Sequence, residues 1–120
     1  MLFGDKASKI DKLVGKRNSA KLVALIKDKN PDIRIKAIKA LGQIGDDTSI
    51  NNLTILLHDQ DKVSRKAAIE SMGQTGNAVA KTHLQYYIEK EDDQELVKAA
   101  RSSIAKISDV ITPRDEALIS

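Results

Sequence analysis

The side chains best suited to catalysis or metal binding are few and poorly spaced for either task. His58 and His83 are the only histidines, and neither has a second ligand at a metal-binding spacing such as His-x-x-x-His. The chain contains no cysteine, which excludes disulfides and thiolate chemistry. We therefore predict no catalytic residue, no metal ligand and no cofactor.

Two further motifs that could carry chemistry are incomplete. Glycines recur in close pairs, but no Lys-Ser or Lys-Thr follows them as in a phosphate-binding loop. The acidic run from Glu89 to Glu95 lacks the alternation and the turn glycine of a calcium loop. A solvated turn is the simpler interpretation of this run.

These residues belong to a sequence that repeats every 31 residues. The segment 21–45 returns as 52–76 with similar residues at equivalent positions, and Leu22, Leu53 and Leu84 fall at one offset. A fixed period of this length indicates stacked supersecondary units, none of which can bury its apolar face alone. The repeat predicts architecture better than it predicts function.

Each repeat contains two amphipathic segments with apolar residues at spacings of three and four. Asn30-Pro31 provides a break and a helix start, and Gly45 and Gly76 provide stops. Thr112-Pro113-Arg114-Asp115 has the pattern of a further, very short helix. The predicted helices are 6–17, 19–29, 32–44, 48–59, 62–75, 78–91 and 95–108.

Composition agrees with a single all-α domain. Only three of the 120 residues are aromatic, so the core is built from aliphatic side chains suited to close helix packing. Neither a signal sequence nor a membrane-spanning run is evident, which favours a cytoplasmic location. A membrane partner is not expected.

The repeats resemble the HEAT repeat, in the short form found in phycobilisome-lyase-like proteins. The first repeat carries the resemblance in Pro31-Asp32-Ile33-Arg34, Ala40-Leu41-Gly42 and Ile44-Gly45-Asp46. The second repeat keeps Arg65, Ala68 and Gly73, whereas in the third Val97 replaces the arginine and Ala105 and Ser108 replace the glycines.

The resemblance implies an α-solenoid of stacked antiparallel helix pairs. We expect one domain, 1–120, with an N-terminal cap helix (1–17), three repeats (18–46, 47–77 and 78–109) and a C-terminal stub (110–120). It also implies a charged ladder that pairs Asp28 with Arg34 and Asp59 with Arg65. No rung is expected in the third repeat, because Lys90 and Val97 stand at the corresponding positions.

The resemblance places a partner-binding surface on the concave face, along the second helices. Five lysines against one glutamate make this predicted face basic and suited to an acidic partner; the same lysines could equally serve as ordinary solvated helix residues. The predicted positions are Ile35, Lys36, Lys39, Gln43, Lys66, Ala67, Glu70, Gln74, Lys98, Ala99, Ser102 and Lys106.

Charge is also uneven along the chain. Residues 1–44 hold eleven Lys and Arg against four acids, and the remainder holds nine against thirteen. The first predicted helix is basic and amphipathic, a type that can lie on a membrane or on nucleic acid. Capping the first repeat explains its few apolar residues, Ile10, Leu13 and Val14, without a further assumption.

Three functions from different classes remain open. The preferred one is a non-catalytic module that binds a protein partner. The alternative is nucleic acid binding, which the nearly balanced net charge of +3 and the scarcity of aromatic residues disfavour. A lyase-like enzyme subunit is the third, although no residue supports a reaction. Exposed end repeats would also allow a homodimer.

Overall fold

The computed structural model describes residues 2–111, with side chains described from residue 5 onwards. Within this range the chain forms α-helices and contains no strand. The short helix predicted from Thr112 lies outside the described residues. The helices are α1 (Leu2–Gly15), α2 (Ser19–Val23), α3 (Pro31–Ile44), α4 (Asp47–Leu56), α5 (Lys62–Gln74), α6 (Ala78–Ile88) and α7 (Gln94–Val110).

The helices form two layers, and each layer follows the order of the chain. The second helices of the repeats pack in sequence, α3 against α5 and α5 against α7, while α2, α4 and α6 pack in sequence beside them. Helix α1 packs mainly on α3, so it extends the layer of second helices by one member. The predicted α-solenoid is confirmed.

Burial follows the 31-residue period. Leu22, Leu53 and Leu84 are all fully buried, and so are Ile38 and Ile69 in the second helices. Because equivalent residues of successive repeats occupy equivalent places in one continuous core, each repeat covers the apolar side of its neighbour.

Helices α2 to α7 begin where short polar side chains cap them. Each cap side chain accepts a hydrogen bond from a backbone N–H in the first turn, which satisfies a group that has no partner within the helix. At the other end of α3, Gly45 takes the left-handed backbone (φ 64°) that ends a helix most easily when no Cβ is present. The caps are Asn18, Asn30, Asp46, Asp61, Asn77 and Asp93.

The first helices are shorter than the sequence predicts. Helix α2 ends at Val23 and α4 at Leu56, whereas the expected ends were residues 29 and 59. Backbone N–H groups after these points bond to the carbonyl three residues earlier, as from His58 N to Ile55 O at 3.1 Å. This tighter winding replaces the last α-helical turn. Helix α6 also ends early, whereas α1 starts sooner and α7 ends later than predicted.

The predicted pairing of the arginines with aspartate carboxylates is wrong, because the arginines bind backbone carbonyl groups. The Nη1 group of Arg34 donates to the backbone carbonyl of Asp28 at 2.9 Å and not to the Asp28 carboxylate. Arg65 makes the same bond to the carbonyl of Asp59 at 2.7 Å. Each arginine thus caps the turn that joins the two helices of its own repeat, where carbonyl groups lack helical partners.

The aspartate carboxylates form ion pairs with lysines of the preceding repeat or, for Asp28, of α1. Lys6 Nζ lies 2.7 Å from Asp28, and Lys27 Nζ lies 3.0 Å from Asp59. A third rung, which the sequence did not predict, joins Lys62 to Asp93 at 2.8 Å. The ladder therefore runs through all three repeats, and it links each repeat to its neighbour.

A polar junction connects the first two repeats at the helix ends that lie away from the ladder. Asp46 caps α4 by accepting from Ser49 N, and it also accepts from the buried Ser19 hydroxyl of the preceding repeat at 2.8 Å. Arg17, in the left-handed region with φ 53°, donates to the carbonyl of Ile44 at 3.0 Å. One carboxylate thus caps a helix and joins two repeats.

Replacing Asp46 with alanine is expected to lower the free energy of unfolding by about 1–2 kcal/mol, the usual effect of losing an N-cap side chain. The buried Ser19 hydroxyl also loses its acceptor. Urea unfolding followed by circular dichroism measures the change. Asp47→Ala is the matched control, because Asp47 is exposed. Equal stabilities for the two variants would contradict this role of Asp46.

Candidate partner-binding face

The predicted binding residues lie on one side of the second-helix layer. We use the term second-helix face for the exposed surface of α3, α5 and α7 on which these residues lie, together with the adjoining side of α1. Most of the predicted side chains are exposed or half-buried there. Ala67 is the exception, because it is only 4% exposed and belongs to the hydrophobic core. Its assignment to the binding surface is wrong.

One groove on this face lies between α1 and α3. Its volume is about 380 Å³. Half-buried Val14 and Ile35 give it apolar surface, and Lys36 crosses it to Asp11 of α1 at 3.2 Å. The residues that line it are Ile10, Asp11, Val14, Asp32, Ile35, Lys36, Lys39, Ala40 and Gln43.

A second groove of about 350 Å³ lies between α5 and α7, and four of its six lining residues are charged. Lys66 and Lys98 contribute positive charge, but Glu70 and Glu95 offset it. Ala99 and Ser102 complete the lining. Gln74 and Lys106 are exposed on the same helices and do not line either groove.

Acidic side chains that the sequence did not place on this face lie within both grooves. Asp11 and Asp32 line the first groove, and Glu95 joins Glu70 in the second. The 31-residue pattern could not locate Asp11, because α1 precedes the repeat and its neighbour was unknown. Both grooves therefore carry positive and negative side chains, and each lysine attracts an acidic group only locally.

A larger groove, of about 580 Å³, runs along the turns between the paired helices of repeats one and two. Its charged groups are already engaged: Lys27 pairs with Asp59, and Arg34 approaches Asp61 at 3.9 Å. This groove could not be predicted from the sequence, since its walls come from turns of different repeats. We assign it to the ladder, because its charges stabilise the stack.

The acidic run that starts at Glu89 is more ordered than a solvated turn. The Tyr87 hydroxyl donates to Glu91 at 2.5 Å, and this bond lowers the pKa of Glu91. Burial raises the pKa of Tyr87, and the hydrogen bond to Glu91 raises it further. Asp93 caps α7 and binds Lys62, which lowers its pKa. The interpretation of these acids as merely solvated is wrong for Glu91 and Asp93.

No group of three or more His, Asp or Glu side chains among the described residues could hold a metal ion. His58 lines the larger groove of about 580 Å³ along the turns, and His83 is exposed on α6. Across the same residues, none of the helices combines the length and apolarity required to cross a membrane.

A sequence profile of HEAT repeats matches residues 19–105, and the chain belongs to the HEAT repeat family. HEAT repeats generally mediate protein–protein interactions, and members of the family are typically non-catalytic scaffolds. Among curated proteins, no sequence matches this chain. The match begins after α1, which agrees with α1 being an additional helix beside the repeats.

Lower stability at acid pH is expected from the aspartates that hold the stack together. The Lys6 ammonium lowers the pKa of Asp28. The pKa of Asp59 is lowered mainly by the hydrogen bond from the backbone N–H of Asp61 and next by the hydrogen bond from Lys27. For Asp46, hydrogen bonds from Ser49 and Ser19 outweigh burial and lower the pKa. A carboxylate with a lowered pKa stabilises the folded state fully above its ordinary value, near 4.

This contribution is lost as the pH falls through the lowered pKa values, because the unfolded chain then takes up protons first. We therefore expect the urea midpoint to stay constant between pH 7 and pH 5 and to decrease between pH 4 and pH 2. Asp28→Asn should reduce the size of the decrease. A midpoint that is constant down to pH 2 would contradict the role given to these aspartates.

Proposed function

We propose that the protein is a non-catalytic interaction module that docks a partner protein along the second-helix face. The observation that carries this proposal is the pair of grooves, one between α1 and α3 and one between α5 and α7. The α3 wall of the first groove and the α7 wall of the second consist of equivalent repeat positions, whereas α1 lies outside the repeats. A partner that reaches across the face would meet both grooves.

The groove between α1 and α3 is the better anchor of the two. Val14 and Ile35 offer apolar surface that a partner side chain can cover, and Lys39 is exposed at the rim. Burial of one aliphatic side chain contributes about 1.5–3 kcal/mol. We therefore expect a partner segment that combines an aliphatic residue with nearby acids, the acids being directed to Lys36 and Lys39.

Charge reversal on this face tests the proposal. We expect Lys36→Glu/Lys66→Glu/Lys98→Glu to abolish the capture of a specific acidic partner from nuclease-treated native extract, because each reversal places repulsion where attraction was. Quantitative mass spectrometry of the captured proteins is the measurement. Circular dichroism must show that the variant remains folded.

The matched control carries three reversals on α1, Lys9→Glu/Lys12→Glu/Lys16→Glu, which change the net charge equally. The proposal requires that this control keep the partner that the first variant loses. Loss from both variants would mean that total charge governs the capture. Retention by both would place the docking surface elsewhere.

A further inference from the structure

Helix α1 carries a row of lysines that faces away from the repeats. Lys9 and Lys12 of α1 and Lys16, directly after its end, follow one another at spacings of three and four; because Lys16 N still donates to Lys12 O at 3.0 Å, the three lie along one side of the helix. All three are exposed, whereas Ile10 and Leu13 of the same segment are buried against the stack. We name these three residues the lysine stripe.

The stripe differs from the lysines of the ladder in forming no ion pair, and it shares this property with Lys39, Lys66 and Lys98 of the grooves, which do not form a regular row on one helix. Lys6, Lys27, Lys36 and Lys62 are all ion-paired to aspartates. Within the described side chains, no ion pair involves a member of the stripe. Of the two acids on α1, Asp11 is engaged by Lys36, and Asp5 lies one turn before Lys9.

The stripe also stands apart from apolar surface. The large hydrophobic side chains that are exposed in the described chain lie on later helices, at Ile55, Val63, Val79, Tyr86 and Val110. Among the side chains described from Asp5 onwards, no exposed apolar row lies beside the stripe, so these residues have little to insert into a bilayer. A row of charges alone suits a ligand that is itself a regular row of opposite charges.

We propose that the lysine stripe binds the phosphate backbone of duplex nucleic acid without sequence preference. From Lys9 to Lys16 the stripe rises about 10 Å along the helix axis, enough to contact successive phosphates. Its ammonium groups act as point charges that bind phosphates and do not distinguish one base from another. Helix α1 has one aromatic residue, Phe3, which is too few to stack on successive unpaired bases, and this favours a duplex over a single strand.

Salt dependence gives this proposal a quantitative test. Three phosphate contacts predict that the logarithm of the association constant falls with the logarithm of salt concentration with a slope of about −2.7. Affinity for a fluorescein-labelled 20-base-pair duplex should then decrease about 40-fold between 50 and 200 mM salt. Fluorescence anisotropy measures both quantities on the full chain.

The decisive variant is Lys9→Gln/Lys12→Gln/Lys16→Gln, which should weaken duplex binding at 50 mM salt by at least about tenfold and bring the slope close to zero. Its matched control, Lys66→Gln/Lys98→Gln/Lys106→Gln, removes the same charge from the second-helix face. The control should retain both the affinity and the slope. Because the substituted lysines are exposed, both variants are expected to fold, and circular dichroism checks this.

Three results would overturn the proposal: no binding of the intact chain to the duplex at 20 mM salt, an equal loss in the two variants, or binding to vesicles containing phosphatidylserine but not to the duplex. The last result would identify a membrane surface as the ligand. None of these results depends on the protein partner of the second-helix face, so the two proposals succeed or fail separately.

Discussion

Gly42→Ala is expected to destabilise the protein by about 1–3 kcal/mol, the usual effect of forcing extra volume into a packed interior. Helices α3 and α5 approach so closely that a Cβ at Gly42 would lie 2.7 Å from the backbone oxygen of Ser71 and 3.0 Å from its Cα. Backbone atoms cannot move aside as a flexible side chain can. The two helices would have to separate, and with them the repeats that they join.

The matched control for this substitution is Gly15→Ala at the end of α1. A Cβ at Gly15 meets no atom within 4 Å, so the variant should be as stable as the wild type or more stable by about 0.4–1 kcal/mol. Urea unfolding of both variants gives the comparison. A neutral Gly42→Ala would show that α3 and α5 do not pack at the distance described.

Leu53→Ala should cost about 2–5 kcal/mol, the largest effect that we expect from a single substitution. Leu53 is fully buried in α4 at the position equivalent to Leu22 and Leu84. Truncation removes apolar contacts and leaves a cavity that neighbouring repeats border on more than one side. Because the core is continuous through the repeats, we expect one cooperative unfolding transition at lower urea and not the loss of one repeat alone.

Ile55→Ala in the same helix provides the control, since Ile55 is 68% exposed and loses few contacts on truncation. Its stability should remain within about 0.5 kcal/mol of the wild type. If the two substitutions cost the same, the inward and outward sides of α4 would be assigned wrongly. A biphasic curve for Leu53→Ala would instead contradict the single core.

Local pattern was sufficient to predict the features that repeat. The 31-residue offset identified Leu22, Leu53 and Leu84 as equivalent, and the structure buries all three. Asn30 was predicted as a helix cap from its position before Pro31, and its side chain accepts from Asp32 N at 2.9 Å. Such features depend on residues close in sequence, where spacing and backbone chemistry are sufficient.

Contacts between distant segments account for the incorrect predictions. The sequence paired Arg34 with the carboxylate of Asp28, but Lys6 occupies that carboxylate from 22 residues away. Lys62 was not expected to bind Asp93, because the pattern considered only arginine at the rung position. An ion pair across two helices is set by their relative position, which periodicity does not specify.

The residues predicted for the candidate face do not all lie on its surface. Ile35, Lys36 and Lys39 line the first groove, whereas Ala67 is covered by packing. The opposite wall of that groove is α1, whose place beside α3 could not be inferred from the repeat. Asp11 and its ion pair with Lys36 were missed for this reason.

Site-specific photo-crosslinking in native cells tests the central claim that the second-helix face is the docking surface. A photoreactive amino acid is placed at Lys39 or Ser102 on that face, or at Ile55 or Gln85 on the exposed sides of α4 and α6. We expect one partner protein to be crosslinked from the first two positions and not from the last two. Crosslinking of that partner from Ile55 or Gln85, with none from Lys39 or Ser102, would contradict the claim.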